Sequence, residues 1–141
     1  MRSVSFKVVA GLVASLTILS LTIFGQDDKV EHGKYIVEVV ARCQDCHTPH
    51  LMVTGEIVKS AWLKGATLDF VSVNQPPNWH SKTPDISSTS ALWARWNDDG
   101  MVKFLETGLN PRGNKAGPPM PAYNLNHEDA VAVVAYLKSV K

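Results

Sequence analysis

The 141-residue sequence is poor in cysteine: it has two, Cys43 and Cys46, and both belong to one short motif. No cysteine is left for a disulfide elsewhere, which excludes a secreted scaffold stapled by disulfides. A strongly basic face is missing as well. The 14 basic residues include Arg2 and Lys7, so residues 26–141 carry 12 of them against all 13 acidic ones. Nucleic-acid binding needs a concentrated positive charge, so the sequence predicts no nucleic-acid partner.

Sustained alternation of polar and apolar residues is also absent, so the sequence predicts helices and no long strands. The first helix is expected to run from a cap at Asp27 or Asp28 to about Arg42. Its apolar stripe follows the i, i+3, i+4, i+7 spacing of a helix and consists of Ile36, Val39, Val40 and Cys43. This helix would carry Cys43 at its C-terminal end.

Two asparagines mark two further helices. Asn97 is expected to cap a second helix from Asp98 to Thr107, which stops at Gly108. Asn126 is expected to cap the last helix, with Asp129 at the third helical position. The apolar stripe of that helix is Val133, Tyr136, Leu137 and Val140. The loop of residues 48–90 is unusually long for a compact domain, which indicates that it wraps something.

The first 25 residues contain no acidic side chain, and residues 8–24 contain no charge at all. With Arg2 and Lys7 ahead of this run, the pattern is typical of a secretory signal peptide or a signal anchor. We therefore divide the chain into a signal segment, 1–25, and one domain, 26–141. The positive end stays in the cytoplasm, so the domain is expected to be periplasmic, either released or anchored to the inner membrane through residues 8–24.

Cys43-Gln44-Asp45-Cys46-His47 is a C-x-x-C-H motif, the pattern of covalent haem c attachment. Two thiols three positions apart can reach both vinyl groups on one porphyrin edge, and the next residue then lies beneath the iron. The motif predicts one haem c, with thioether bonds at Cys43 and Cys46 and with His47 as the proximal axial ligand. A thioredoxin-like pair would need a βαβ setting, and a zinc site would need a second ligand pair.

The second axial ligand is expected to be Met120, which lies in the proline-rich stretch 117–121. Three prolines make this loop stiff, so it loses little entropy when it holds a thioether against iron. Met52 follows the motif too closely to reach the opposite haem face, and Met101 fits the core side of the second helix. Three histidines remain as alternatives: His50, His80 and His127. His80 is the strongest of them, since it lies in the wrapping loop.

Together these features resemble the class I monohaem cytochromes c over about residues 30–140. The resemblance rests on Gly33-x-Tyr35 ahead of the motif, on Pro119-Met120-Pro121 and on the final helix through Tyr136-Leu137. The sequence is most similar to the cytochrome modules of bacterial membrane-bound dehydrogenases and oxidases. The stretches that match those modules are Trp96–Asp99 and Gly117–Pro121.

The resemblance implies an all-α cytochrome c fold, with three to four helices wrapped around one covalently bound haem. It implies axial ligation by His47 and Met120, and it implies that Gly33 and Tyr35 meet Tyr136. The long loop departs from the compact form of the family, so no partner for the haem propionates is carried over. The candidates for that role are Trp79, Arg95 and His50.

The predicted function is electron transfer and not catalysis, because two filled axial positions leave the iron no site for a substrate. The expected partners are redox proteins, namely a dehydrogenase that donates or an oxidase that accepts electrons. Three basic residues are candidates for steering an acidic partner: Arg42, Arg112 and Lys115. The alternatives are a haem peroxidase or gas sensor with a weak or open sixth position, and a non-redox binding module tethered to a membrane.

Overall fold

The computed structural model describes residues 25–141, and this part of the chain is helical. Helix α1 covers residues 25–35 and continues into a π-helical turn, Ile36–Val40. The other helices are α2 (Gln44–His47), a 3₁₀ turn (Lys59–Ala61), α3 (Leu92–Thr107) and α4 (His127–Ser139). Between residues 25 and 141 no strand forms, and the three isolated β-bridges all lie in loops. The predicted all-α class is confirmed.

The predicted signal or anchor segment, residues 1–25, falls outside the described part of the chain except for its last residue. Within residues 25–141, none of the helices combines the length and the apolar character that crossing a bilayer requires.

The core forms where α1 and α3 pack on α4. Gly33 of α1 lies against α4 so closely that a Cβ atom there would be 1.9 Å from the Ala132 carbonyl oxygen and 3.0 Å from Cβ of Tyr136. Only glycine permits this approach of two backbones. The expected meeting of Gly33 with Tyr136 is therefore confirmed.

The end of α1 differs from the predicted helix. Asp27 and Asp28 lie inside the helical residues, so neither of them caps it. Val39 and Val40 are each 60% exposed, whereas Ile36 and the adjacent valine at 37 are buried. The cause is the π-helical turn, in which the N–H of residue 41 donates to the Ile36 carbonyl at 2.7 Å. This wider turn rotates the two valines away from the core.

Tyr136 also has a different partner from the one expected. Tyr35 is 56% exposed and takes no part in the core. The Tyr136 hydroxyl instead donates to the carboxylate of Glu38 and accepts a hydrogen bond from Trp62 Nε1 at 3.3 Å. Burial, together with the bond to Glu38, raises the pKa of Tyr136 to about 12. These contacts join the π-helical turn, the long loop and α4.

Helix α3 consists of two segments that meet at Asn97, where φ is 52°. The Asn97 side-chain oxygen accepts from the N–H of Gly100 at 2.9 Å, so the predicted cap of the second segment is confirmed. Gly108 ends the helix in the left-handed conformation, as predicted. The segment that begins at Leu92 was not predicted. At α4, the Asn126 side chain accepts from the backbone N–H three residues later, which confirms the second predicted cap.

Candidate cofactor site

A cavity of about 530 Å³ lies between α2, α3, the long loop of residues 48–90 and the loop that carries Met120. All four predicted site residues line it: Cys43, Cys46, His47 and Met120. Its apolar walls come from α3, α4 and the long loop, and they include Ile86, Leu92, Trp96, Phe104, Leu105 and Leu137. The size falls within the range of about 300–1,000 Å³ that is typical of cofactor sites.

Helix α2 is the single turn that carries the C-x-x-C-H motif. Arg42 has a φ of 51°, and this left-handed residue turns the chain from α1 into α2. The N–H of His47 donates to the Cys43 carbonyl at 2.9 Å, which closes the turn. Residues three apart on a helix share a face, so both thiols lie on the side of α2 that borders the cavity.

Cys43 and Cys46 form no disulfide with each other. Burial raises the pKa of Cys43 to about 11. The pKa of Cys46 is also raised, first by burial and then by the nearby carboxylates of Asp45 and Asp69. A thioredoxin-like pair needs a low-pKa thiolate, so the setting argues against that chemistry. Across residues 25–141, no cluster of three or more histidine, cysteine or acidic side chains is arranged to hold a metal ion.

His47 is held as a neutral imidazole of defined tautomer. Its side chain is buried, and Nδ1 donates to the Pro84 carbonyl at 2.8 Å. A carbonyl oxygen can only accept, so the proton lies on Nδ1 and Nε2 keeps its lone pair. Burial lowers the pKa of His47, which keeps the ring neutral at pH 7. A neutral ring whose second nitrogen is fixed by a backbone acceptor is the form that binds metals.

Two hydrogen bonds fasten the long loop to α2, and a third joins two parts of the loop itself. The Thr83 hydroxyl donates to the Cys46 carbonyl at 2.7 Å and accepts from the N–H of Ala66 at 2.9 Å. The N–H of Gly65 donates to the His47 carbonyl at 2.8 Å. These bonds position Pro84, which follows Thr83 in the chain, so that its carbonyl oxygen can accept the hydrogen bond from His47 Nδ1. This role of Thr83 and Pro84 was not predicted, because it depends on contacts between segments that are distant in the sequence.

Met120 lies in a loop that is fixed near both ends. Its N–H donates to the Gly117 carbonyl at 3.2 Å, and the Pro118 carbonyl accepts from the N–H of His80 at 2.8 Å. Downstream, the Tyr123 hydroxyl donates to the carbonyl of residue 41 at 3.2 Å. Burial raises the pKa of Tyr123 to about 12. The loop therefore spans from the long loop to the end of α1.

The rival sulfur and nitrogen ligands are sorted by their positions. Met52 is 93% exposed and lies outside the cavity, whereas Met101 is buried on α3 and forms part of the wall. Of the five histidines, His47 and His80 line the cavity. His50 and His127 do not line it, so the structure favours neither of them.

The three candidates for a propionate partner, Trp79, Arg95 and His50, do not line the cavity. Among residues 25–141 the buried Trp79 Nε1 has no hydrogen-bond partner, so this candidate retains an unused donor. The basic side chains that do line the cavity are Arg42, Lys82 and Lys115. Arg42 is paired with Asp45 at 2.7 Å. Arg112, the third expected steering residue, is not part of the lining.

The donor set and the walls fit an iron porphyrin. Two thiols on one face of a helical turn, one neutral imidazole and one thioether border the same cavity. The apolar side chains around them suit a flat apolar group, and a mostly apolar wall with a few polar groups is typical of cofactor sites. Cys43 and Cys46 are the residues that would attach such a group, and His47 and Met120 would face its metal.

Comparison with known proteins agrees with this geometry. A family model described as Cytochrome c matches residues 30–141. The fructose dehydrogenase cytochrome subunit of Gluconobacter japonicus is 29% identical over 119 residues, which is 81% of this chain and 22% of that protein. A diheme cytochrome c-type protein of Cereibacter sphaeroides is 30% identical over 115 residues, covering 78% of this chain and 35% of the relative.

A third relative is the cytochrome c subunit of the quinone-dependent alcohol dehydrogenase of Gluconobacter oxydans. It is 29% identical over 119 residues, which is 81% of this chain and 24% of the subunit. The matched region thus covers between about a fifth and a third of the length of these three relatives.

Proposed function

The chain belongs to the cytochrome c family, and on that premise we propose that it is an extracytoplasmic electron-transfer protein with one covalently bound haem c. In this proposal Cys43 and Cys46 form the thioether bonds. His47 is the proximal axial ligand, and Met120 is the distal one.

One observation carries the proposal. Residues from α2 and from a loop beyond α3, far apart in sequence, border one apolar cavity with the side chains that a His/Met-ligated haem c requires. The neutral His47 supports the same assignment, because its Nε2 keeps the lone pair that a metal ligand donates.

When bound, haem c supplies a one-electron iron couple. The chain's residues determine how easily that couple accepts an electron. A thioether at Met120 favours a higher reduction potential than a second imidazole would, and the apolar walls act in the same direction because burial disfavours net charge. His47 stays oriented through its bond to Pro84. With both axial positions filled, the protein carries electrons and has no place for a substrate.

The proposed partner is a dehydrogenase that delivers electrons to this protein. The relatives named as cytochrome subunits belong to fructose and alcohol dehydrogenases, which supports a donor of that class. Lys82 and Lys115 line the cavity and are candidates for contact with an acidic surface of the donor. We further propose that residues 1–25 direct export and either are removed or anchor the domain to the inner membrane.

The test of haem attachment uses the full chain produced in a host that matures c-type cytochromes. A pyridine haemochrome assay should give one haem per chain, and the pigment should stay with the denatured protein in acidified organic solvent. The C43A/C46A variant should release its pigment or carry none. Release of the pigment from the unaltered chain would refute covalent attachment.

The test of the distal ligand compares Met120→Ala with Met52→Ala. Loss of the thioether should abolish the weak far-red band that reports an iron–methionine bond, and it should lower the reduction potential. The matched control, Met52→Ala, removes an exposed thioether outside the cavity and should change neither quantity. A high-spin ferric spectrum in the unaltered protein would instead favour the alternative of a haem peroxidase or gas sensor with an open sixth position.

A further inference from the structure

We propose that His80 is a positioning residue for Met120, and that its contact with Gly117 forms a clasp between the two loops that border the cavity. This inference rests on the proposed function, since it gives the clasp the task of keeping the Met120 thioether in place.

The clasp consists of one hydrogen bond and one tight packing contact. The N–H of His80 donates to the Pro118 carbonyl at 2.8 Å. The imidazole ring of His80 lies directly over Gly117, where a Cβ atom would be 2.1 Å from Cδ2 and 2.5 Å from Nε2 of that ring. The same Cβ would also lie 2.8 Å from the carbonyl oxygen of Asn78.

Glycine at position 117 is required by space and not by backbone conformation. The positive-φ glycines of the described chain are at positions 55, 65, 108 and 113, so Gly117 is not one of them. Its φ is not in the left-handed region, but a methyl group there would collide with the His80 ring and with the carbonyl oxygen of Asn78. The missing side chain therefore makes room for both.

The clasp is connected to both proposed axial ligands. On the distal side, the N–H of Met120 donates to the carbonyl of Gly117 at 3.2 Å, so a shift of Gly117 moves Met120. On the proximal side, the segment that starts at His80 continues to Pro84, whose carbonyl holds His47. One stretch of five residues thus contacts the Met120 loop at one end and the His47 imidazole at the other.

The clasp predicts that His80 affects ligand exchange at the iron, which a side chain with only a packing role would not do. A thioether is a weak iron ligand that an added imidazole can replace, and replacement requires the Met120 loop to move away. The clasp opposes that movement. Weakening it should therefore increase the apparent affinity for external imidazole while the helices stay intact.

The experiment measures imidazole binding and the far-red band in the haem-loaded protein, with far-ultraviolet circular dichroism to report helix content. His80→Ala removes an exposed ring and leaves the backbone bond in place. We expect its affinity for imidazole to rise about threefold. A tenfold rise would correspond to about 1.4 kcal/mol of binding free energy, so the expected effect is smaller than that. Unchanged affinity in this variant would overturn the proposal.

Gly117→Ala tests the packing contact more strongly. We expect it to lose most of the far-red band and to bind imidazole about tenfold more tightly than the unaltered protein, because the methyl group would meet both the His80 ring and the Asn78 carbonyl oxygen. The double variant G117A/H80A should recover part of the band, since the ring is gone. A double variant as impaired as G117A alone would assign the collision to the carbonyl oxygen of Asn78, 2.8 Å from the added Cβ, and would overturn the packing role of His80.

Arg112→Ala is the control, because this exposed side chain lies in the same part of the chain and does not line the cavity. It should leave the band and the imidazole affinity unchanged. The same spectra test the assignment of Met120 as axial ligand separately from the clasp. If the far-red band survives in Met120→Ala, Met120 does not bind the iron. Loss of the low-spin spectrum in His80→Ala would make His80 the ligand instead.

Discussion

Helices α1 and α4 can approach closely because Gly33 has a hydrogen atom in place of a side chain. A methyl group in its place would lie 1.9 Å from the carbonyl oxygen of Ala132. Because that oxygen belongs to the backbone of a helix, no side-chain rotation can relieve the collision, and the two helices would have to separate.

Gly33→Ala should therefore destabilise the fold by about 3 kcal/mol or more, at the upper end of overpacking effects. Lys34→Ala is the matched control, because Lys34 is the next residue of the same helix and its side chain is exposed. That control should change the free energy of unfolding by less than about 0.5 kcal/mol. Urea unfolding measures both, and equal midpoints for the two variants would contradict the close helix contact.

Tyr136 makes the stability depend on alkaline pH. Its pKa is raised in the folded state, to about 12, so folding favours the protonated phenol. The contribution is fully present below the unfolded pKa of about 10 and is lost as the pH rises through the folded value. Stability measured by urea unfolding should fall between pH 10 and 12, and this fall should be smaller in Tyr136→Phe. An identical fall in both proteins would exclude this tyrosine as a source.

At the residue scale, the sequence predicted which side chains would lie together, but not the groups that hold them in place. Residue type and spacing identified four candidate site residues, and all of them border one cavity: Cys43, Cys46, His47 and Met120. The acceptor for His47 is a backbone carbonyl, which any residue has, so nothing in the sequence assigned this role to Pro84. Gly100 likewise has a spatial reason that the sequence hides, since an added Cβ would lie 3.1 Å from Pro111.

At the scale of elements, the ends of the helices are defined by local hydrogen bonds. The Asn126 side chain accepts from the N–H of Asp129 at 2.9 Å and donates to its carboxylate at 2.8 Å. Both interactions act at the first turn of α4, which packs on α1 and α3, so the cap affects the whole domain.

Asn126→Ala should reduce the free energy of unfolding by about 1 kcal/mol, the usual loss for a helix cap. Asn126→Ser is the control, since a serine oxygen can accept the same backbone N–H and should preserve most of the stability. Thermal or urea unfolding distinguishes the two variants. A serine variant as unstable as the alanine variant would show that the lost term is not the cap.

Local signals predicted the caps at Asn97 and Asn126 because a cap bonds only to its own helix. The π-helical turn at the end of α1 was not predictable in that way. Its wider turn is part of the contact with α4 and the long loop, and the i, i+3, i+4 pattern assumes a regular α-helix. The stripe containing Val39 and Val40 was therefore wrong, although the helix itself was correctly expected.

At the scale of the whole molecule, the cavity interrupts the core of a small domain. It has a volume of about 530 Å³, is partly open to solvent, and is walled by core side chains such as Trp96, Phe104 and Leu105. Without a group that fills it, these apolar walls would be in contact with water, which opposes folding. A domain of this size is stable by only about 5–15 kcal/mol, so we expect the group that fills the cavity to contribute a large part of its stability.

The haem-free C43A/C46A variant should consequently lack a cooperative thermal transition and should have less helix than the mature protein. Circular dichroism and calorimetry measure these properties. A haem-free chain with a sharp transition and full helix content would contradict the argument that the fold depends on its cofactor.

The brevity of α2 has a consequence for protein engineering. Four residues are far too few for a helix to persist by itself in water, so the motif takes its shape from the bonds made by Gly65, Thr83 and Pro84. Grafting the five-letter motif onto a foreign scaffold would thus transfer the reactive sulfurs without their orientation. A transferable form of the motif would also have to include the part of the long loop that makes these bonds.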